Sequence, residues 1–575
     1  MAPTLGPVPS GTVAGRLLDA LAEAGVDYIF GNPGTTELPL LAELAARSTP
    51  RYVLALHDSV AVGMAHGFAQ ASGRLGVVNL HAAPGLANAM GNLYNAFRSG
   101  VPLLVTAGQV ASSLALYDPP LSGDLVAMAR PVTKWACELR KAEELVPALR
   151  KAIHAALTPP TGPVFLGIPV DLLEEPAAPE PLDLPELLEP VAPDAGAMEP
   201  VARELALAQA PLLVVGERAA SPELVPLLVA LAEALGMPVR AERIPPRLAF
   251  PTDHPLWAGP LPAAGKALGK LLTAHDLLLV VGASRLAPVL RAPEWEGVRA
   301  VRQVRLEPSG GHLLEGMPPH LAVVGPLAVT LGGLLEAVRD LTRADAALAQ
   351  RLAGRRSRQE AELRAQRMKQ SAGQPATSMP ASAARAPAQG LTAATVAEVL
   401  DHILPPGAIV VEEALTSTRA LLARRAFRDP ATYYGIKGTA LGWGLPAAVG
   451  VRLARPDRPV VAFVGDGSSL YAFQALWTAA HLGINLPVIL LRNGGYRILR
   501  EGFRPEVMKE AGEEGWPQAG LLAMRLGPPE PDFVALAHGL GVPARRVAAE
   551  AELREALPWA LEAAGPAVLE VSIDP

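Results

Sequence analysis

Two stretches of the chain decide its fold: Val460–Ser468 reads VVAFVGDGS, and Leu486–Tyr496 reads LPVILLRNGGY. Each stretch begins with a run of apolar residues and ends in glycine beside a polar side chain. Short apolar runs separated by the length of a helix are typical of a β-α-β unit in a parallel sheet. Ligands bind at the carboxyl ends of such strands. We therefore expect Asp466 and Asn493 to lie side by side at this edge.

Asp466 and Asn493 carry the kind of oxygen atoms that Mg²⁺ prefers when it is shared with a diphosphate. The competing interpretation is an ordinary turn at the end of a strand, because glycine and aspartate are common turn residues. Gly465-Asp466-Gly467 alone does not decide between the two interpretations. The second segment, Asn493–Tyr496, follows at the expected distance and favours the metal site.

The composition of the 575 residues favours several α/β domains and argues against some classes of function. Half of the residues are hydrophobic, 18% are charged and the mean hydropathy is +0.26. No uninterrupted apolar run reaches about 20 residues, so we expect no membrane-spanning helix. The net charge of −6 argues against a nucleic-acid partner. A single cysteine, Cys137, and an N-terminus without a signal-like pattern predict a cytoplasmic location.

Two stretches with the composition of linkers divide the chain into three blocks. Residues 174–199 carry proline every few positions, and residues 370–390 are of low complexity. The charged stretch before the second linker predicts a surface helix. We predict an N-terminal domain at residues 1–175, a central domain at 198–345 and a C-terminal domain at 391–575, with a helix and flexible linker at 346–390.

Strand and helix patterns alternate in all three blocks, which predicts the α/β fold class with three doubly wound parallel sheets. In the first block, a strand at residues 76–80 leads into a loop at 81–85 and a helix at 86–98. In the central block, the strands at 212–215 and 277–281 lack a following G-x-G-x-x-G loop. A dinucleotide site is therefore not expected, and an NAD-linked dehydrogenase is the weakest alternative.

The chain resembles the thiamine diphosphate-dependent family of 2-oxo acid decarboxylases and acetolactate synthases. Besides the two stretches above, the resemblance lies in residues 30–39 (FGNPGTTELP), 79–91 (NLHAAPGLANAMG) and 441–448 (LGWGLPAA). The benzoylformate decarboxylase type is the nearest match, across nearly the whole chain outside the linkers. The resemblance implies pyrimidine-binding, central and diphosphate-binding domains. It also implies a homodimer or homotetramer whose active site lies at the subunit interface.

The resemblance implies thiamine diphosphate and Mg²⁺ as cofactors, whereas FAD has no visible motif and is not expected. The implied metal ligands are Asp466, Asn493 and the carbonyl of Gly495. Leu441 would be the apolar wedge that bends the cofactor, although by itself it could be a core residue. The resemblance also implies cofactor contacts from Thr416, Thr439, Gly465, Gly467, Ser468 and Tyr496. Thr416 could alternatively cap a helix.

Three residues match catalytic positions of the family. His81 would move protons, although a histidine after a strand is more often a satisfied polar residue. Thr35 matches a serine that contacts the substrate carboxylate. Asp58 stands where the family has a glutamate that bonds N1′ of the pyrimidine. Aspartate reaches about 1–1.5 Å less far, and such a misplacement can cost about 10²-fold in rate. The alternative is that Asp58 caps a helix in an inactive or repurposed site.

The predicted reaction is the non-oxidative decarboxylation of a benzoylformate-like 2-oxo acid to an aldehyde and CO₂. Val289 stands at the position of a second active-site histidine, Arg492 replaces an asparagine, and residues 500–529 look longer than expected. Without that histidine, an acetolactate synthase-type carboligase that joins two carbonyl substrates is an alternative. A weakly active cofactor-binding homologue is another, because of Asp58.

Overall fold

A computed structural model describes residues 11–184, 195–262, 265–284, 286, 297–298, 300–314, 318–372, 391–502 and 523–574. Within these ranges the chain forms three six-stranded parallel sheets flanked by helices. The predicted α/β class is therefore confirmed. The described helices include none with the length and apolar character needed to span a bilayer.

The chain divides into two compact units. One comprises Met1–Glu186, Gly390–Thr418 and Ile436–Pro575, and the other comprises Leu187–Gln389 and Arg419–Gly435. The predicted boundaries at residues 175, 198, 345 and 391 remain a proposal.

The first sheet has the strand order β2-β1-β3-β4-β6-β5. Its strands are β1 (Tyr28–Gly31), β2 (Arg51–Leu54), β3 (Gly76–Leu80), β4 (Leu103–Gln109), β5 (Ala136–Glu138) and β6 (Val164–Pro169). Its helices are α1 (Val13–Glu23), α2 (Leu38–Leu44), α3 (Asp58–Ser72), α4 (Ala82–Arg98), α5 (Leu125–Ala129), α6 (Leu145–Leu157) and α7 (Val170–Glu174). Every residue of β3 and β4 is buried, which explains why their sequences are mostly apolar and lack a regular apolar–polar alternation.

The predicted loop at residues 81–85 is wrong. Helix α4 begins at Ala82, directly after β3 and His81. Pro84 lies in the first turn of this helix, where its missing N–H leaves no hydrogen bond unmade. The proline and glycine of the segment therefore belong to a helix start, and His81 is held between a strand and a helix.

The second sheet has the order β12-β11-β10-β7-β8-β9. Its strands are β7 (Pro211–Val215), β8 (Val239–Ala241), β9 (Trp257–Pro260), β10 (Leu277–Val281), β11 (Arg302–Glu307) and β12 (Leu321–Val324). The helices of this part are α8 (Met198–Leu207), α9 (Leu224–Leu235), α10 (Gly265–Leu272), α11 (Leu327–Ala344) and α12 (Ala346–Ala372).

Helix α12 corresponds to the predicted surface helix, but part of it is buried. Arg355 donates hydrogen bonds to the carbonyls of Leu235 (2.7 Å) and Ala208 (2.6 Å), where α9 and α8 end. Leu352 is also buried. A guanidinium at the last carbonyls of two helices satisfies acceptors that the helices leave open. Helix α12 is thus anchored to its own unit.

The third sheet has the order β14-β13-β15-β16-β18-β17. Its strands are β13 (Ile409–Glu413), β14 (Tyr433–Gly435), β15 (Val460–Gly465), β16 (Leu486–Arg492), β17 (Ala544–Val547) and β18 (Pro566–Ser572). The helices are α13 (Ala393–Ile403), α14 (Thr418–Arg424), α15 (Gly444–Ala454), α16 (Asp466–Ser469), α17 (Ala475–His481), α18 (Arg497–Gly502), α19 (Phe533–Gly539) and α20 (Glu550–Glu562). The two apolar runs that open the sequence are the parallel neighbours β15 and β16.

Helices α3 and α15 pack closely within one compact unit. A side chain at Gly67 would overlap the carbonyl oxygen of Ala447, and one at Gly450 would overlap that of Met64. Glycine is needed here because the two backbones are in contact. The first residues of these helices, Asp58 and Gly444, both belong to candidate site segments. The close packing therefore fixes the start of α3 relative to the start of α15 within one chain.

Candidate active site

The N-terminal candidates gather at the carboxyl end of the first sheet. Thr35 lies in a short 3-10 helix, Thr35–Glu37, which follows β1. Asp58 begins α3, and His81 directly follows β3. Strand β1 lies between β2 and β3, so the segments that follow the three strands meet at one edge.

Asp58 is 3% exposed and lies beside His81, which connects β3 to α4. Its Oδ1 lies 3.4 Å from the backbone nitrogen of His81, and its Oδ2 lies 3.4 Å from Nδ2 of Asn32. The N-cap of α3 is His57, whose Nδ1 accepts a 3.1 Å hydrogen bond from the backbone of Ser59. The interpretation of Asp58 as a helix cap is therefore wrong. Its carboxyl group lies in the first turn, where the helix dipole favours a negative charge.

The imidazole of His81 is oriented by Glu37, a residue that the sequence analysis did not identify. Nδ1 of His81 lies 2.9 Å from Oε2 of Glu37, which is 1% exposed. The same carboxyl group accepts hydrogen bonds from the backbones of Gly34 (2.8 Å) and Gly108 (3.0 Å). Because a carboxylate only accepts, Nδ1 carries the proton and Nε2 is left for the site.

The position of Thr35 follows from the same contacts. Any side chain at Gly34 would overlap the ring of His81, so the two residues are in contact. The hydroxyl of Thr36 lies 3.3 Å from Nδ1 of His81. Thr35, between these two residues, is exposed. The structure therefore brings the segment of Thr35 to His81 and Asp58.

The metal-ligand candidates meet at the ends of β15 and β16. Oδ2 of Asp466 accepts hydrogen bonds from the backbones of Asn493 (3.0 Å) and Gly494 (2.8 Å), and Oδ1 accepts one from Gly467 (2.8 Å). Oδ1 of Asn493 accepts a 3.2 Å bond from the backbone of Gly495. The predicted adjacency of Asp466 and Asn493 is thus confirmed.

These residues fit a bound divalent cation. Burial raises the pKa of Asp466, against the lowering effect of the three backbone N–H groups. A cation beside the carboxylate would offset this cost of burial. A carboxylate, an amide oxygen and a carbonyl oxygen are ligands that Mg²⁺ accepts together with phosphate oxygens.

Other residues expected to contact the cofactor lie at the end of β15 and on the segments that follow β13, β15 and β16. Gly465 ends β15, and Gly467 and Ser468 lie buried in the short helix α16. A side chain at Gly467 would come within 2.8 Å of the ring of Tyr496, so glycine allows that ring to approach. Thr416 lies half-buried in the turn after β13.

Arg492 is directed to carboxylates of neighbouring segments. Its Nη1 lies 3.4 Å from Oε1 of Glu570, which is fully buried on β18, and its Nη2 forms an ion pair with Glu530. Arg546 also pairs with Glu570 at 3.1 Å. The positive charge of Arg492 contributes a lowering effect on the pKa of Asp466. The replacement of asparagine by arginine at this position therefore joins the end of β16 to β18.

The segment Gly438–Gly444 carries Leu441 and is called the wedge turn. Its Gly442 and Gly444 nitrogens donate to Oε1 (2.9 Å) and Oε2 (2.7 Å) of Glu413 at the end of β13. Leu441 is half-buried, so it is not a core residue. Thr439 has φ = +65°, a conformation that a β-branched residue rarely adopts. Burial raises the pKa of Glu413 to about 8.

The chain matches known families along three parts of its length. Residues 11–127 match "Thiamine pyrophosphate enzyme, N-terminal TPP binding domain", residues 198–334 match its central domain, and residues 416–571 match its "C-terminal TPP binding domain". A benzoylformate decarboxylase of Pseudomonas aeruginosa is 36% identical over 97% of this chain and 98% of that protein. The chain belongs to the thiamine pyrophosphate enzyme family.

Two further relatives of this thiamine pyrophosphate enzyme are informative. A solved structure of a 4-hydroxybenzoylformate decarboxylase from Rhodococcus jostii has a TM-score of 0.80 and 32% identity, and the match covers 98% of this chain and 99% of that one. An acetolactate synthase large subunit of Parasynechococcus marenigrum is 28% identical over 97% of this chain and 87% of that protein.

The comparisons confirm several predictions about this thiamine pyrophosphate enzyme. The family, the α/β fold, the thiamine diphosphate cofactor and the class of thiamine diphosphate-dependent lyase are as predicted. Val289, the position of the missing second histidine, lies outside the described residues, as do residues 503–522 of the long segment 500–529.

Proposed function

We propose that this enzyme decarboxylates an aromatic 2-oxo acid of the benzoylformate type to the corresponding aldehyde and CO₂. The observation that carries the proposal is the contact of His81 with Glu37 beside the buried carboxyl group of Asp58. Similarity to proteins named for benzoylformate and 4-hydroxybenzoylformate supports the aromatic side chain of the substrate. The more distant acetolactate synthase supports the carboligase alternative less well.

The diphosphate end of the cofactor is proposed to bind at the ends of β15 and β16. Asp466, Asn493 and the Gly495 carbonyl would hold Mg²⁺. Thr416, Thr439, Gly465, Gly467, Ser468 and Tyr496 would contact the cofactor, and Leu441 would support it as the wedge. When bound, thiamine diphosphate supplies the carbon that adds to the 2-oxo group and accepts the electron pair left by CO₂.

Asp58 is proposed to activate the pyrimidine end of the cofactor through a hydrogen bond to N1′. The carboxyl group is withdrawn from water and lies in the first turn of α3. Its carboxyl oxygens lie 3.4 Å from the backbone nitrogen of His81 and 3.4 Å from Nδ2 of Asn32. A short acid held in a fixed place can exchange a proton without rearrangement of solvent.

His81 and Thr35 are proposed to act on the substrate. Loss of CO₂ leaves an electron pair that must take up one proton before the aldehyde is released. Nε2 of His81 is the proposed donor, because Glu37 occupies Nδ1 and fixes the ring. The exposed hydroxyl of Thr35 is proposed to donate a hydrogen bond to the substrate carboxylate.

A homodimer or homotetramer with the active site at the subunit interface is proposed for the assembly. Large apolar side chains that are exposed in the single chain support it, among them Leu116 (88% exposed) and Tyr117 (75% exposed). A cytoplasmic location is proposed as well, and the single cysteine, Cys137, supports it.

Product analysis tests the proposed function. The purified enzyme is incubated with thiamine diphosphate, Mg²⁺ and either benzoylformate or pyruvate. We expect equimolar benzaldehyde and CO₂ from benzoylformate, and loss of both products in Asp466→Ala but not in Asp457→Asn, a change at an exposed distant site. Acyloin without free aldehyde would instead favour a carboligase. A rise in melting temperature with thiamine diphosphate but no turnover would favour the weakly active homologue.

A further inference from the structure

The wedge turn is hydrogen-bonded to a helix that lies far from it in sequence. Asn95 of α4 forms a two-bond ring with the backbone of Ala440. Its Oδ1 accepts a 3.0 Å bond from the Ala440 nitrogen, and its Nδ2 donates a 2.8 Å bond to the Ala440 oxygen. Gly438 makes the approach possible, since a side chain there would come within 2.5 Å of Oδ1 of Asn95. The side-chain amide of Asn95 thus bonds both the N–H and the carbonyl group of Ala440.

A second asparagine, one turn earlier on α4, extends these contacts to the start of α3. Nδ2 of Asn92 lies 2.8 Å from the oxygen and 3.1 Å from the hydroxyl of Ser59, the residue after Asp58. The same Nδ2 lies 3.2 Å from the oxygen of Gly442, the residue after Leu441. Asn92 therefore contacts the residue after Asp58, a candidate for catalysis, and the residue after Leu441, the candidate wedge.

The two asparagines, called the amide pair, form one network. Nδ2 of Asn95 donates a 2.8 Å bond to Oδ1 of Asn92. Their side chains are almost completely withdrawn from water, with 1% exposure of Asn92 and none of Asn95. A buried amide without hydrogen-bond partners would destabilise the fold, because its desolvation would not be offset by any hydrogen bond. The network is therefore satisfied only when the wedge turn and the start of α3 keep their present positions.

Both the amide pair and Glu413 form hydrogen bonds with the wedge turn. Glu413 accepts bonds from the backbone of Gly442 and Gly444, while the amide pair bonds Ala440 and the oxygen of Gly442. Leu441 lies between these fixed points. Thr439, with its strained φ, directly precedes Ala440, and a strained residue persists where its surroundings over-determine it.

We propose that Asn92 and Asn95 are positioning residues that fix the wedge turn relative to the first turn of α3. The role of Leu441 as the support of the cofactor makes this useful, so the inference rests on the proposed function. The amide pair acts through its hydrogen bonds to Ala440, Gly442 and Ser59. Its loss lets the wedge turn move, so the cofactor is bound less tightly and less often in its reactive shape. Displacements of about 1 Å are enough to change rates by about 10²-fold.

The test compares Asn95→Ala and Asn92→Ala with a matched control, Asn485→Ala. Nδ2 of Asn485 also contacts backbone carbonyls, those of Ala560, Leu561 and Ala563, but at the end of α20. Three quantities are measured: amide hydrogen exchange at Ala440 in the cofactor-free protein, the Kd for thiamine diphosphate with Mg²⁺, and kcat and KM for benzoylformate.

We expect Asn95→Ala to raise exchange at Ala440 about tenfold or more, to raise the Kd for thiamine diphosphate about tenfold and to lower kcat about tenfold. KM for benzoylformate should stay within about twofold. Asn92→Ala should change exchange, Kd and kcat in the same directions but by smaller factors. If Asn95→Ala does not fold, the result for Asn92→Ala tests the proposal. Asn485→Ala should lower the melting temperature without any of these changes.

Unchanged exchange at Ala440 in Asn95→Ala would overturn the proposal, as would equal changes in Kd and kcat for Asn95→Ala and Asn485→Ala. Failure of the proposed function is a separate result. It would show as absence of CO₂ release by the unaltered enzyme, and the exchange at Ala440, measured without cofactor, would still decide the role of the amide pair.

Discussion

Nδ1 of His81 lies 2.9 Å from the buried carboxyl group of Glu37. Glu37 also accepts bonds from the backbone of Gly34 and Gly108, so its position does not depend on the histidine. The acid therefore sets the orientation and the tautomer of the ring, and His81 presents Nε2 to the site.

Glu37→Gln should lower kcat about 10²-fold, because an amide can present its NH₂ group to Nδ1 and reverse the tautomer. The rate of benzaldehyde formation, followed from pH 5 to 9, measures this. Glu43→Gln is the control, since Glu43 bonds Thr12 and Arg47 on the same domain but not His81. Equal rates for Glu37→Gln and the unaltered enzyme would exclude a role for Glu37 in catalysis.

Asp466→Ala should abolish stabilisation of the protein by thiamine diphosphate and Mg²⁺, because it removes the buried carboxylate at the ends of β15 and β16. In the unaltered protein, ligand at 100 times Kd contributes about 2.7 kcal/mol of stability. Thermal unfolding with and without both cofactors measures the effect. Asp457→Asn should keep the full shift, and a full shift in Asp466→Ala would place the metal elsewhere.

Thr439→Gly should raise the free energy of unfolding of the cofactor-free protein by about 1 kcal/mol, because glycine adopts φ = +65° without strain. Urea denaturation measures the change. The control is Thr158→Gly, at a position with φ = −71°, which should destabilise the protein. A loss of stability in Thr439→Gly as large as in the control would show that the turn is unstrained.

His66→Phe should remove part of the acid sensitivity of folding. Burial lowers the pKa of His66 to about 3, and its ring packs against Trp443 with centroids 5.3 Å apart. In the unfolded chain the group titrates near 6.5. The stability contributed by neutral His66 is thus full above pH 6.5 and falls as the pH drops from 6.5 toward 3.

Between pH 8 and pH 5 the free energy of unfolding should fall by about 2 kcal/mol through His66 alone. His66→Phe should not show this decrease. Unfolding by urea at the two pH values measures it. His154→Phe, at an exposed position of α6, should behave like the unaltered protein. The same pH dependence in His66→Phe would assign the acid sensitivity to other groups.

The sequence predicted the parts of the site that lie close together in the chain or match a family motif. Asp466 and Asn493 could be placed because the ends of neighbouring parallel strands meet at one edge. The helix start at Ala82 was missed, since Pro84 and Gly85 are typical of loops as well as of a first helical turn. The local sequence pattern does not distinguish a loop from a first helical turn. The packing of α4 on the sheet determines which of them forms.

Glu37 and the amide pair could not be assigned from the sequence alone. Asn95 and Ala440 are 345 residues apart, and no spacing rule joins them. Glu37 stood in a quoted motif, but an acid three residues after Gly34 is also typical of a helix start. The signal that could have identified it is an acidic residue in the loop that faces the candidate histidine.

The most direct test of the account is CO₂ release from benzoylformate by the unaltered enzyme and by Asp58→Asn, at saturating thiamine diphosphate and Mg²⁺. We expect CO₂ and benzaldehyde in equal amounts from the unaltered enzyme, and a rate lower by about 10²-fold or more in Asp58→Asn. Thermal stabilisation by the cofactor should be kept in this variant. Absence of CO₂ from the unaltered enzyme, or an undiminished rate in Asp58→Asn, would contradict the account.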